Sequence, residues 1–421
     1  MLGNVREGRN SRLPLPRGPD RPPVPSHWAP MEPRPTPRVH QPRVSWFELF
    51  YDLVIVASIA HGSHLVVQDI LNEDSFDFTM GTWLISTFVI TFALWFSTTT
   101  AVNIAPGIVP FRKSLMFAQM FSVTVANLAL SRSEGLPDDW GFAALTAAFA
   151  TVACIFAITG RARPDLRVAT GPWMWGSVAA AVLLAIGVVM PDEWVTAELC
   201  VFALAIVAGV LPIVLVGIPR MCRLEHMEPG HLSERIGQLV IIVIGESFLG
   251  LVLTLTGLNH VPGPVFFVAT FLVAGSLWAI YFSSVFPLGL PLTPGRLELW
   301  LLGVMVFLVG VCYSAEILAA YAAVEWSKQW GSHSFIPLTA AYALAGALIL
   351  SLIGGQIRDI AYARVHVVAL IVLAVAWIAL VAAGSPGNLL LLASSIVIIA
   401  DGLACMALSR AEDRRTVASA A

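Results

Sequence analysis

The chain has 421 residues, 57% hydrophobic and 12% charged, with a formal net charge of −3 and a mean hydropathy of +0.80. Soluble domains carry roughly 25% charged residues, so about half of the usual charge is missing. That deficit excludes an ordinary soluble enzyme, and the slightly acidic balance argues against nucleic acid as a partner.

Residues 1–43 hold eleven of the 27 prolines and eight arginines, with almost no apolar run. Such a segment buries too little surface to offset its chain entropy and is expected to be a disordered cytoplasmic tail. It lacks the apolar core of ~7–15 residues that a secretory signal needs.

Apolar runs of about 18 residues or more read as transmembrane helices. In chain order they predict spans at 46–70, 82–102, 113–130, 140–160, 172–190 and 197–217. A second set is expected at 235–257, 264–286, 298–324, 335–355, 364–384 and 388–408. The expected fold is therefore all-α, a polytopic integral membrane protein of about 12 transmembrane helices. With the N-terminus in the cytoplasm, 22 of the 24 lysines and arginines fall on the cytoplasmic side, and only Arg132 and Lys328 fall outside. This bias sets the orientation by the positive-inside rule and places both termini in the cytoplasm. Trp46, Trp140, Trp194, Trp300 and Trp326 sit near the expected interfaces, as anchoring aromatics do.

The longest cytoplasmic loop, 218–234, divides the chain into membrane halves at 44–217 and 235–408, followed by a tail at 409–421. Each half opens with a similar segment, Glu48-Leu-Phe-Tyr-Asp52-Leu-Val-Ile and Glu234-Arg-Ile-Gly-Gln238-Leu-Val-Ile. A six-plus-six duplication, a common transporter plan, is one explanation. The other is that any two helices entering from the cytoplasm look alike.

Ionisable side chains inside a bilayer cost several kcal/mol and commonly mark a site or a partner. The first span carries Glu48 and Asp52 on one face, then His61 and His64 further along. On a straight helix Asp52 and His61 point about 180° apart, which disfavours a proton wire along this helix. The seventh span carries Glu246 near its centre, and Glu316 and Asp401 follow in spans nine and twelve. No lysine or arginine lies at the centre of a span. Asp52, Glu246, Glu316 and Asp401 are thus expected to be protonated, to share protons or to bind a cation. The alternative is that each neutral acid only packs helices together by hydrogen bonding. His61 and His64 are weaker candidates.

No Walker loop, nucleophile elbow, dinucleotide fingerprint or HExxH motif is present, and His61 with His366 as haem ligands would lie at different depths. No cofactor is expected. Four cysteines lie in apolar runs and Cys222 in a loop, without a CxxC motif or a dense Cys/His cluster. Neither a disulfide nor a thiolate metal site is expected.

The run Arg43-Val-Ser-Trp-Phe-Glu-Leu-Phe-Tyr-Asp-Leu-Val-Ile-Val-Ala57 resembles the bacterial low temperature requirement protein A family. A second block, His231-Leu-Ser-Glu-Arg-Ile-Gly-Gln-Leu-Val-Ile-Ile-Val-Ile-Gly-Glu-Ser247, resembles the same family in order and spacing. The resemblance implies a multi-span protein of a bacterial cytoplasmic membrane and singles out Glu48, Asp52, His231, Glu234, Arg235, Gly245 and Glu246. It implies no settled substrate or reaction. The leading expectation is a proton- or cation-coupled secondary transporter of unknown substrate. In it Asp52 and Glu246 couple ion to substrate, while Glu48, His231, Glu234 and Arg235 form a cytoplasmic gate. An ion channel, an embedded enzyme or redox protein, and a non-transporting membrane factor remain open, as does the oligomeric state.

Overall fold

The computed structural model describes residues 45–420, apart from connections at 74–77, 131–138, 224–227, 257–263, 324–334 and 354–356 and single positions such as 386. Within the helices, side chains including those of 60–85 and 319–342 also fall outside the description. The tail at 1–43 and the side chains of His61, His64, Glu316 and Trp326 therefore lie outside the described residues.

The first set of elements is α1 (Trp46–Glu73), α2 (Phe78–Ile104), α3 (Arg112–Leu130), α4 (Asp139–Ala162), α5 (Arg167–Gly187), α6 (Val195–Pro212) and α7 (Ile218–Arg223). The second is α8 (Pro229–Thr256), α9 (Pro264–Ile280), α10 (Arg296–Ala323), α11 (Phe335–Ile353), α12 (Ile357–Ala382) and α13 (Gly387–Ala420). A π-helical turn at Ile213–Gly217 joins α6 to α7, and another at Tyr281–Val285 extends α9. No strand occurs among the described residues, as backbone groups in a bilayer must be satisfied within helices or a closed barrel.

Eight helices among the described residues are long and apolar enough to cross a membrane, and the shorter apolar stretches Phe88–Ile104 and Ala343–Leu352 accompany them. The protein is thus an all-helical membrane protein. Burial sorts these helices into inner and outer positions. The apolar window of α10 is 61% buried, whereas that of α12 is only 17% buried. The exposed side of α12 is a stripe of Val368, Ile371, Val375 and Ile378, the surface expected against lipid tails. Trp46, Trp140 and Trp194 are exposed at helix ends, as anchoring aromatics should be, but Trp300 is packed into the core.

Two prolines shape the first set. The fifth span was expected to start at Pro172, yet α5 begins at Arg167 and runs through it. Proline has no N–H, so Val168 loses its partner four residues ahead. Arg220 Nη1 donates to the freed Val168 carbonyl at 3.0 Å, which lets the helix extend backwards. Pro212 similarly frees the carbonyl of Ala208, and Gly176 packs so closely there that a Cβ would meet this oxygen at 2.9 Å.

Helix neighbours follow one plan twice. α1 packs on α2 and α3, α3 on α4, α4 on α5, α5 on α6, and α2 on α6. The same relations hold for α8 on α9 and α10, α10 on α11, α11 on α12, α12 on α13, and α9 on α13. Between the sets, α1 lies against α8 and α10, and α2 against α8. The α10/α11 contact is tight because small residues meet. A Cβ on Gly310 would strike the backbone of Ala343, and one on Gly346 the backbone of Phe307.

Candidate functional site: a buried charge cluster between α1 and α8

The start of α1 is set by a capping box. The Glu48 N–H donates to Ser45 Oγ at 3.3 Å, and the Ser45 N–H donates to Glu48 Oε2 at 3.2 Å. This reciprocal pair satisfies two of the free donors at a helix N-terminus. It fixes the Glu48 side chain, and Asp52 follows one turn later on the same face. Glu48 is 5% exposed and Asp52 fully buried.

The start of α8 is set from α2. Asn103 Oδ1 accepts the Glu228 N–H at 2.8 Å, and Asn103 Nδ2 donates to the Glu228 carbonyl at 3.0 Å. Pro229 follows at the first helical position, where its missing N–H costs nothing. His231 and Arg235 then lie one turn apart on the face of α8 that meets α1. Each helix thus presents two charged or titratable groups at a spacing of four, and the two pairs meet.

Arg235 is completely buried and forms a forked pair with Asp52. Its Nε donates to Oδ2 at 3.0 Å and its Nη2 to Oδ1 at 2.5 Å. Trp95 Nε1 on α2 donates to the same Oδ1 at 2.6 Å. The remaining nitrogen, Nη1, stands 3.7 Å from Glu48 Oε2 and has no hydrogen-bond partner among the described residues. A planar guanidinium suits this arrangement because it serves one carboxylate with two parallel bonds and still offers a donor to a second.

His231 closes the cluster, with Nε2 3.6 Å from Glu48 Oε2 and Nδ1 3.3 Å from Asn103 Nδ2. The amide of Asn103 is oriented by its two bonds to Glu228, so Nδ2 is the donor facing the ring. Nδ1 then accepts from that amide, and Nε2 is the nitrogen turned towards Glu48. Two buried carboxylates therefore face one guanidinium and one imidazole.

The expectation that Asp52 lacks a buried base is overturned, since Arg235 supplies it. The partner of Arg235 lies across the α1/α8 contact, which spacing along a single helix does not reveal. Asp401 is not isolated either, because His366 Nδ1 lies 2.9 Å from its carboxylate. Of the other candidate gate residues, Glu234 is exposed and joins no ion pair among the described residues. Glu246 is half-buried on α8, next to Ser247. Ser247 lines a small, mainly apolar pocket with Leu251, Thr270, Val273, Leu277 and Ser314, between α8, α9 and α10.

Sequence reasoning missed Trp95 and Asn103, which carry no motif of their own. The capping box was readable, because Ser-x-x-Glu directly before an apolar run is its signature. A polar seam continues from the cluster, where Gln119 Oε1 on α3 accepts from Tyr51 at 2.9 Å and from Thr98 at 2.8 Å. Further along α1, Ser58 and Thr124 hydroxyls are 3.1 Å apart.

An apolar helical bundle with a charge cluster buried at the contact of two helices defines a polytopic membrane protein built around an internal polar site. Residues 43–407 match the family model of the bacterial low temperature requirement A protein (LtrA), which covers most of the chain. The chain belongs to that family. No curated protein and no solved structure matches it.

Proposed function

We propose that this protein is a proton- or cation-coupled secondary transporter of the cytoplasmic membrane, with the α1/α8 cluster as its cytoplasmic gate. Twelve spans and cytoplasmic termini are part of this reading, supported by the Lys/Arg asymmetry of the loops. The observation that carries it is the meeting of two buried carboxylates, Glu48 and Asp52, with one buried guanidinium, Arg235, so that one carboxylate charge is left for the site to balance. A proton or small cation balances that charge. Gaining it weakens the hold of α1 on α8, and losing it restores the lock. α1 and α8 open two sets of helices with the same neighbour plan, so loosening their contact lets one set rock against the other, as in transporters built from repeats.

Asp52 and Glu246 are the coupling carboxylates of this scheme, and Glu48, His231 and Arg235 the gate. Glu246 lies about 16 Å along α8 from Arg235. In this reading it is the deeper ion site. The bonding of Asp52 also favours a second reading, a static lock in a non-transporting membrane factor, because both its oxygens are already satisfied.

Purified protein in proteoliposomes with an internal pH dye, under imposed Na⁺, K⁺ and pH gradients, tests the scheme. Ion-coupled flux in the native protein, lost in folded Asp52→Asn and Glu246→Gln variants, is the expected result. Flux that both neutral variants retain would remove the coupling role. No flux under any gradient would leave the static lock.

A further inference from the structure

We propose that His366, Asp401 and Cys405 form a binding site for a borderline-soft divalent metal ion of the zinc type, at the contact of α12 and α13. These three residues are 0%, 2% and 0% exposed, and each presents one ligand atom within 4.8 Å of the other two. Asp401 and Cys405 are one turn apart on α13, and His366 comes across from α12. Their joining explains why no dense Cys/His motif was visible in the sequence, since 35 positions separate His366 from Asp401.

The donor set is one imidazole nitrogen, one carboxylate and one thiol, a combination that suits zinc in preference to magnesium or calcium. Zinc binds these atoms at about 2.0–2.3 Å, so tetrahedral ligands stand about 3.3–3.8 Å apart. The present separations bracket that range: His366 Nδ1 and Asp401 are already at 2.9 Å, and the outer limit is 4.8 Å. Small side-chain rotations therefore suffice. The π-helical turn of α9 packs on α13 next to Cys405. Buried Ser284 there donates its hydroxyl to the Ile280 carbonyl and lies in hydrogen-bonding reach of Cys405.

Nδ1 of His366 is the nitrogen that faces Asp401, so it is the one a shared metal would take, while Nε2 points away from that carboxylate. Binding converts the thiol to a thiolate and releases its proton to solvent, so uptake falls with acidity. The site lies at the same end of the two helices as Arg364 and Arg410. It does not depend on the transport reading.

Cobalt titration of the purified full-length protein in detergent provides the test, with zinc as competitor. The expected result is one equivalent of Co²⁺ giving a near-ultraviolet thiolate-to-metal band, which Zn²⁺ abolishes. Cys405→Ser should remove the band, while Cys200→Ser, at an exposed thiol, should keep it. Should Cys405→Ser fail to fold, Asp401→Asn replaces it, an isostere that keeps a hydrogen bond to His366. A tenfold or greater loss of Co²⁺ affinity in Asp401→Asn supports the site, and unchanged affinity means a hydrogen-bonded pair without metal. No band in the native protein, or a band that survives Cys405→Ser, overturns the proposal.

Discussion

Replacing Asp52 by Asn removes one charge from the cluster at almost constant volume. At an effective dielectric of ~20 and a separation of ~3 Å, the gross attraction of the Asp52–Arg235 pair is about 5 kcal/mol. Most of that was offset when both groups left water, but the loss of one partner leaves Arg235 buried without it. Removing one member of a buried pair commonly costs about 3–5 kcal/mol. The Asn oxygen still accepts one bond from the guanidinium, and Glu48 already stands 3.7 Å from Nη1. The expected loss therefore lies at the low end, about 3 kcal/mol. Arg235→Gln should cost a similar amount, because it strands two carboxylates. Combining the changes leaves two neutral amides that can bond to each other, so the double variant should be more stable than the sum by about 2–3 kcal/mol. Reversible unfolding in mixed micelles, followed by helical ellipticity, measures the cycle. Additive losses, or single losses below about 0.5 kcal/mol, would refute the geometry of the pair.

Other expectations are simpler. Ser45→Ala removes one arm of the capping box and should cost about 1 kcal/mol, read in the same unfolding assay; no change would mean that Glu48 is held by Arg235 and His231 alone. Gly310→Ala drives a methyl into the Ala343 backbone and should destabilise by about 2 kcal/mol. Gly245→Ala, in open space on α8, should instead gain up to about 1 kcal/mol of helix propensity, and the opposite order of the two would contradict the α10/α11 packing. Asn103→Ala removes the two bonds to the Glu228 backbone that set the start of α8 and should cost about 1–2 kcal/mol in the same assay; no change would contradict that anchoring.

The helical membrane architecture was legible because apolar runs and loop charge are properties of contiguous sequence. Glu48 and Asp52 were legible as a pair because a spacing of four is a property of one helix. Their partnership with Arg235 was not, since it depends on which helices touch. The same blindness hid His366 beside Asp401, on neighbouring helices. The start of α5 was misplaced because Pro172 reads as a helix opener, and the compensating donor, Arg220, lies far away in sequence. Glu246 reads as a carboxylate within a span, but its half-buried position became visible only in the fold.

The gate itself is tested most directly by the distance between the starts of α1 and α8. Spin labels at Trp46→Cys and Gly230→Cys, both exposed, report it in protein whose exposed Cys154 and Cys200 are replaced by serine. Pulsed electron–electron resonance in lipid nanodiscs should give two distance populations, with the longer one growing on acidification and dominant in Asp52→Asn. A single narrow distance, the same at every pH and in the variant, would contradict a gate and leave the cluster as a fixed clamp.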